Sequence, residues 1–413
     1  MSAVGIDFGT SFSSASWINP TTNVPEIITF NETGTTKIPS VVYFSEESEP
    51  LVGLGPYQQI QYIKGYPQEV QRHILRNTLF SIKRKMKRNG IFHAPTRDYS
   101  HTDIVALILK KIKDQIESSC QLVDGITSVT LTHPVVFSEW QKDILLTAAQ
   151  NAGFTNIQLL EEPIAAAIGY LKSNNMQAKG VLVYDFGGGT FDVAYVKIES
   201  NGIYRTPLSP QGDAYCGGDD IDYALYQLWQ NHIMRNLNRS ISPNGNETDL
   251  GFLQTCRQNK ELLSTMPSAT FNEILPVIEG EGIQRVSMEL TRPQFEMVIK
   301  NIIHKTIKKT EVVINDIRAN NYPLDCAILI GGSSRIPLVK KMLEEVLCDV
   351  KIYTTGAVDV AVALGASYSQ LIQMVPPPPP PSRDCFCIYC QEKIFRNEKY
   401  CLKCGKPNFM YNK

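Results

Sequence analysis

Residues 181–196 read VLVYDFGGGTFDVAYV. Four apolar residues run into Asp185; Phe186, the triplet Gly187–Gly189, Thr190, Phe191 and Asp192 follow, and then an apolar run resumes. Residues 3–18, AVGIDFGTSFSSASWI, repeat the plan. An apolar lead-in meets Asp7, then come Phe8, Gly9 and the hydroxyl residues Thr10 and Ser11, and the chain turns apolar again. A strand–turn–strand with successive free amides makes an anion cradle. Glycine lets those amides approach phosphate oxygens with no Cβ in the way. Thr10, Ser11 and Thr190 add hydroxyl donors. An aspartate at a strand end would repel phosphate unless a divalent ion lay between them, and Mg²⁺ takes carboxylates plus water. Either copy alone reads equally as a glycine-rich hairpin turn. Two copies, about 180 residues apart, favour two jaws closing on one nucleotide.

The chain has 413 residues, 43% hydrophobic and 20% charged, which suits a globular protein of two or three domains. Its net charge of −1 argues against DNA or an anionic membrane as a dominant partner. No apolar run approaches the ~18 residues of a membrane span. The opening MSAVGIDFG enters a strand with no basic region ahead of an apolar core, so a cytoplasmic location is expected.

Strand-like and helix-like segments alternate through the body. Strands are expected at 3–7, 13–18, 39–44, 128–132, 181–185, 192–198 and 326–330. Helices are expected at 102–119, 138–152, 162–172, 219–235, 252–265, 292–320 and 335–347. This alternation predicts an α/β fold with sheets covered by helices. Two lobes are expected over 1–175 and 176–375, with a final helix near 358–374 returning to the first. The six prolines of VPPPPPPS (375–382) fit neither helix nor central strand. A polyproline II spacer over 376–384 is expected, with docking of an SH3-like or profilin-like partner as the other use.

Ten cysteines divide unevenly. Cys120, Cys216, Cys256, Cys326 and Cys348 are scattered, whereas Cys385, Cys387, Cys390, Cys401 and Cys404 crowd into the last 29 residues. Cys387-x2-Cys390 and Cys401-x2-Cys404 have the spacing of a four-thiolate zinc site. A closed four-cysteine site leaves no position for water, so a structural zinc ribbon over 385–413 is expected, with Cys385 left over. The ribbon or the proline spacer would attach a protein partner; nucleic acid is not expected.

Three more stretches bear on the turns. EEPIAAAIGY (161–170) opens a helix with Pro163 in its first turn, placing Glu161 and Glu162 at the positive end. IGGSSRIPLV (330–339) leads from a strand into another helix, a usual place for a nucleotide's sugar or phosphate. LFSIKRKM (79–86) is basic; it is either a solvated face or a source of one inward cation, Lys83. Together with GIDFGTSFS, YDFGGGTFDV, GDAYCGGDDID, NKELLST and AVALGAS, these stretches resemble, in order, the ATPase domain of the Hsp70 chaperones. That domain belongs to the actin–hexokinase–Hsp70 superfamily. The resemblance runs from residue 3 to about 372. FSIKR, GGDDID and KELLS separate it from actin and the sugar kinases.

The resemblance implies an actin-like two-lobed ATPase that binds ATP or ADP with Mg²⁺. Asp7, Gly9, Thr10 and Ser11 would form one phosphate loop. Asp185, Gly187, Gly188, Gly189 and Thr190 would form the other, with Asp192 beside it. Asp7 and Asp185 would hold Mg²⁺ through water, Lys83 would reach the γ-phosphate and Glu162 would orient the attacking water. Lys83, Glu162, Asp185 and Thr190 are thus the catalytic candidates. Gly217, Gly218 and Asp219 would line the second lobe near the cleft. Lys260, Ser264, Gly331, Gly332, Ser333 and Arg335 would hold adenosine, and Asp359 would support the adenine side. J-domain and exchange-factor partners are implied as well.

The sequence departs from that pattern in three places. Arg257 stands where the family has a ribose-binding glutamate. Lys142 replaces the arginine that works with Pro134, and lysine lacks the planar bidentate geometry of arginine. The tail of prolines and cysteines stands where the family carries a peptide-holding β-sandwich and lid. The expectation is a slow ATPase serving as a nucleotide-switched chaperone-type or regulatory module. The alternative is a nucleotide-binding scaffold that does not hydrolyse, with the ribbon as adaptor.

Overall fold

Asp7 and Asp185 lie at the ends of strands Ala3–Asp7 and Gly180–Phe186, Asp185 one residue before the last, and these strands occupy equivalent places in two six-stranded sheets. The structure, a computed structural model, describes residues 2–63, 66–122, 124–239, 250–275, 284–354 and 358–372, with 385–386 and 393–394 of the tail. In the first sheet, Ala3–Asp7 lies between Phe12–Ile18, antiparallel, and Ser128–His133, parallel. Pro25–Ile27 and Ile157–Glu161 extend the two sides. In the second, Gly180–Phe186 lies between Phe191–Ile198, antiparallel, and Cys326–Ile330, parallel. Tyr204–Arg205 and Lys351–Tyr353 extend it. The two sheets therefore share one strand order.

Alternation along the central strands explains why both faces of each sheet are covered. Leu182, Tyr184 and Phe186 face one way, into a core with Trp229, Ile233, Phe295, Ile303 and Leu343. Those residues come from helices Gly218–Leu237, Arg292–Ala319 and Pro337–Leu347. Val181 and Val183 face the other way, onto Ile164 and Ile168 of helix Glu162–Ser173. In the first sheet, Val4 and Ile6 pack on Ile104, Ile108 and Leu145 from helices His101–Ser119 and Glu139–Asn151. Side chains at i and i+2 share a face of a strand, so such runs are buried on both sides.

The remaining face of the first sheet receives the last helix, Val358–Leu371. Ser16 Oγ donates to the Ala363 carbonyl at 2.7 Å, and Gln370 Nε2 donates to the Val4 carbonyl at 2.7 Å. Each sheet is thus covered on one face by a helix drawn from the other half of the chain. The two exchanged helices cross where Gly169 meets Gly365: a Cβ on Gly169 would collide with the Ala361 carbonyl, and one on Gly365 with the Ala165 carbonyl.

The strand expected over 39–44 is two short strands instead. Ile38–Pro39 pairs with Phe12–Ser13, and Val42–Tyr43 pairs with Leu51–Val52 and Thr78–Leu79. Pro39 offers no amide to a ladder. Ser40 bonds sideways, its amide to the Ser11 carbonyl at 2.9 Å and its hydroxyl to Ser13 Oγ at 2.9 Å, so the chain changes partner there. The 335–347 helix begins at Pro337 after a 3₁₀ turn over Gly332–Arg335. Helices Leu54–Gln61 and Gln68–Arg76, and hairpin Ser268–Ile274 with Arg285–Thr291, are further elements above the sheets.

Residues Met1–Gln373 and Met374–Lys413 form separate units. In the second, Cys385–Phe386 pairs antiparallel with Lys393–Ile394. The proline run and Cys387, Cys390, Cys401 and Cys404 lie outside the described residues.

Candidate functional site

The two glycine turns face each other. Asp7 pairs with Ser14 across the first hairpin, and Asp185 with Asp192 across the second; Asp7 is the last residue of its strand and Asp185 the last but one, so both stand at the mouth of a turn. A Cβ at Gly188 would lie 2.7 Å from Ser11 Oγ, and one at Gly189 would lie 2.8 Å from Thr10 Cγ2. A side chain at either position would have to push Ser11 or Thr10 aside. Between the turns opens a cleft of about 500 Å³.

Most of the residues singled out in the sequence line it: Asp7, Gly9, Thr10, Ser11, Lys83, Glu162, Asp185, Gly187, Gly188 and Thr190 from the phosphate side, and Asp219, Lys260, Ser264, Gly331, Gly332, Ser333 and Arg335 from the other. Gly189, Gly217 and Gly218 stand behind this lining and brace it. The Gly218 amide donates to the Gly187 carbonyl at 3.0 Å, and the Asp219 amide to the Gly188 carbonyl at 2.7 Å. Asp192 is buried at the second hairpin. The side chain of Asp359 lies outside the described residues.

Lys83 sits on the short helix Ile82–Lys85, entered through Ser81 in the left-handed region at φ 52°. That turn sends Lys83 inward, where it is 5% exposed. Its Nζ donates to Glu162 Oε1 at 2.5 Å. Burial pulls the Lys83 pKa down, but Glu162, Asp7 and Asp185 outweigh it and hold the value above its ordinary one. The carboxylates feel the converse. Burial first, then Glu162, pushes Asp7 up to about 7, against the pull of Lys83. Burial and Glu162 also raise Asp185, and burial and Asp185 raise Asp192. Both carboxylate oxygens of Asp192 are buried without a hydrogen-bond partner.

Among the described residues, four carboxylates therefore converge around the Lys83 ammonium, with Lys37 a weaker cation acting on Asp7. Hard oxygen donors in that condition fit Mg²⁺. Among the described residues, no three His, Cys, Asp or Glu side chains are close enough to grasp one ion directly.

On the far side, strand Cys326–Ile330 delivers Gly331, at φ 81°, and the 3₁₀ turn after it. Ser333 Oγ donates to the Gly187 carbonyl at 2.8 Å, tying this loop to the phosphate turn. Lys260 Nζ contacts the Gly218 carbonyl at 3.0 Å and Asp222 Oδ1 at 2.7 Å. Ser264 Oγ donates to the Lys260 carbonyl at 3.0 Å, within its own helix.

Arg257 is not a loose charge in the ribose region. Its Nη2 pairs with Asp219 Oδ1 at 2.9 Å and its Nε with Asp222 Oδ2 at 3.1 Å. Arg84, from the first lobe, pairs with Asp220 at 3.2 Å and approaches Asp219 at 3.8 Å. A chain of ion pairs thus crosses the cleft mouth. Sequence reasoning missed it, and missed Lys37 and Glu261 in the lining. The KRK run gave a signal for Arg84, but one that reads equally as a solvated face. Lys142 pairs within its own helix with Glu139, at 3.0 Å. His133, also missed, is buried beside Pro134; its Nδ1 and the Pro134 carbonyl are 2.8 Å apart, and it stacks on Phe137.

Two sheets of one design, each with an aspartate near the end of its central strand beside a glycine turn, define the two-lobed, actin-like nucleotide-binding class. Within it, the chain belongs to the Hsp70 family: the family model described as Hsp70 protein matches residues 3–374. The chain is 31% identical over 377 residues to a chaperone protein DnaK of Thermosipho africanus, covering 89% of this chain and 58% of that protein. It is 30% identical over 379 residues to a chaperone protein dnaK1 of Synechocystis sp., covering 88% of this chain and 53% of that one. The chain spans a little over half the length of the relatives it matches.

Proposed function

We propose that the chain binds ATP in the cleft and hydrolyses it slowly to ADP and phosphate, acting as a nucleotide-switched module. The observation that carries this reading is the buried Lys83–Glu162 pair set between two facing phosphate turns. A passive binding site needs neither a buried ammonium at the phosphates nor a carboxylate beside it.

Phosphoryl transfer depends on positioning and charge stabilisation. The amides of Gly187 and Gly188 and the hydroxyls of Thr10, Ser11 and Thr190 would cradle the phosphates. Lys83 would shift toward the γ-phosphate, leaving Glu162 to orient water and accept its proton. Asp7 and Asp185 would hold Mg²⁺ through water; when bound, it neutralises charge on the phosphate oxygens. Lys260, Ser264, Ser333 and Arg335 would flank the adenosine, with Asp359 on the adenine side. With Arg257 engaged by Asp219 and Asp222, the ribose hydroxyls lose the carboxylate the family offers them.

The tail cysteines Cys387, Cys390, Cys401 and Cys404 would hold one structural zinc ion; their spacing supports this. The partner reading the nucleotide state would attach there, at the proline run or on the lobes. J-domain and exchange-factor proteins are the family's candidates.

Phosphate release from ATP, measured with and without Mg²⁺, tests the function. Magnesium-dependent release is expected; release no greater than buffer, with ATP still bound, would leave the scaffold reading in its place.

A further inference from the structure

A second and larger cavity, of about 940 Å³, adjoins the cleft, with Thr10, Ser11, Asp219 and Arg257 as a common wall. Its volume is at the upper end of the range of small-molecule sites. The other walls are largely apolar: Val41, Ile60, Leu79, Phe80 and Met86 from the first lobe and Leu253 from the second. Nothing in the proposed ATP chemistry uses this space.

Charge in the cavity is unbalanced. Among the described residues, Arg84, Lys85, Lys87 and Arg257 line it against two carboxylates, Asp219 and Asp222. Those two are already engaged by Arg84, Arg257 and Lys260. Among the described residues, no carboxylate lies within ion-pair distance of Lys85 or Lys87. The exposed Lys85 leans on the Phe80 ring, 5.9 Å from its centre. His101 adds a neutral donor. Its Nδ1 accepts the Lys87 backbone N–H at 2.9 Å, which leaves the proton on Nε2. Its ring lies flat over Gly90, where any side chain would collide with it. Burial, then Lys87 and Lys85, holds the His101 pKa below its ordinary value, so the imidazole is uncharged at neutral pH.

We propose that this cavity is a second ligand site, shaped for a small amphipathic anion: an aliphatic or aromatic body against the apolar walls and one carboxylate or sulfonate between Lys85 and Lys87. Water excluded by the apolar body strengthens the charge contact, and the walls supply the area-dependent part of the binding. Apart from the wall it shares with the cleft, its lysines and its apolar residues lie outside the phosphate turns, so the proposal does not depend on the nucleotide reading.

The test uses the full chain without nucleotide. The aryl sulfonate 8-anilino-1-naphthalenesulfonate is titrated by fluorescence against N-phenyl-1-naphthylamine, its neutral analogue. Saturable binding of the sulfonate is expected, about tenfold tighter than the neutral probe. Lys85→Glu with Lys87→Glu should weaken it by about tenfold or more. Both lysines are exposed, so this variant keeps the parent's thermal midpoint. Leu253→Trp, which fills the cavity from the opposite lobe, should weaken both probes. Equal affinity for the two probes overturns the proposal, and so does sulfonate affinity unchanged by the charge reversal. Loss on charge reversal with no effect of Leu253→Trp also overturns it, by placing the anion on surface lysines alone.

Discussion

Lys83 Nζ lies 2.5 Å from Glu162 Oε1, with both side chains about 95% withdrawn from solvent. The lysine comes from a short helix beyond the first sheet, and the glutamate from the start of a helix that covers the second. Truncating Lys83→Ala should lower the hydrolysis rate by about 10²–10³-fold, the scale of losing one preorganised charge at a transition state, while ATP still binds. The same change leaves Glu162 buried without its cation, a loss of about 3–5 kcal/mol. The assay therefore belongs at saturating Mg²⁺, with folding checked by circular dichroism. Hydrolysis at the parental rate would remove Lys83 from the mechanism.

With magnesium in the proposed site, the carboxylate group should make stability depend on pH and magnesium together. Asp7 rises from 3.8 to about 7 on folding. Its folded value exceeds its unfolded one, so its contribution is fully present below about pH 3.8 and is lost as pH rises through 7. Asp185 and Asp192 shift in the same direction. In the proposed site, magnesium would compete with protons for these oxygens. The rise in thermal midpoint on adding Mg²⁺ should therefore be larger at about pH 8 than at about pH 5.5. Equal rises would place the ion elsewhere.

Arg84 links the lobes through Asp220 and Asp219. The pairs are partly exposed, so their contribution is about 0.5–1 kcal/mol. Arg84→Ala should speed release of a fluorescent ATP analogue about two- to fivefold in stopped flow, with little change in association. An unchanged release rate would mean the cleft mouth is held by other contacts.

The crossing of the exchanged helices leaves no room for a side chain. Gly365→Val should destabilise the protein by about 3 kcal/mol or more, since neither helix can yield without lifting off its sheet. Urea unfolding would show this as a lower midpoint. A midpoint within error of the parent would contradict the close approach of Gly365 to the Ala165 carbonyl.

Metal analysis of the purified full chain should give one zinc per molecule, lost in Cys387→Ser with Cys390→Ser. The Cys401 and Cys404 thiols should become reactive at the same time, since a thiolate-bound ion shields its ligands. Parent protein free of zinc would exclude the ribbon.

The sheets were legible because their strands are written as apolar runs broken by Asp-Phe-Gly, and a run buried on both faces leaves a continuous signature. Asp7, Asp185, Lys83 and Glu162 were legible through the motifs around them. The bonds of Arg257 and Arg84 were not. Their partners lie on a helix far away in sequence, and no periodicity records which of several charges will meet. Helices Leu54–Gln61 and Gln68–Arg76 escaped because they are short and mostly polar, burying little beyond Ile60 and Ile74. The change of partner at Ser40 was hidden because Ser40 satisfies its own hydrogen bonds inside an otherwise strand-like run.

The exchange of helices has a consequence for the order in which the chain can be finished. The first sheet is complete in sequence by Glu161, yet the face that takes Ala363 and Gln370 stays open until the last helix arrives. During synthesis, some two hundred residues must leave the ribosome before the N-terminal lobe can close its own core. Through that interval its uncovered strand face is the part of the molecule most open to wrong partners.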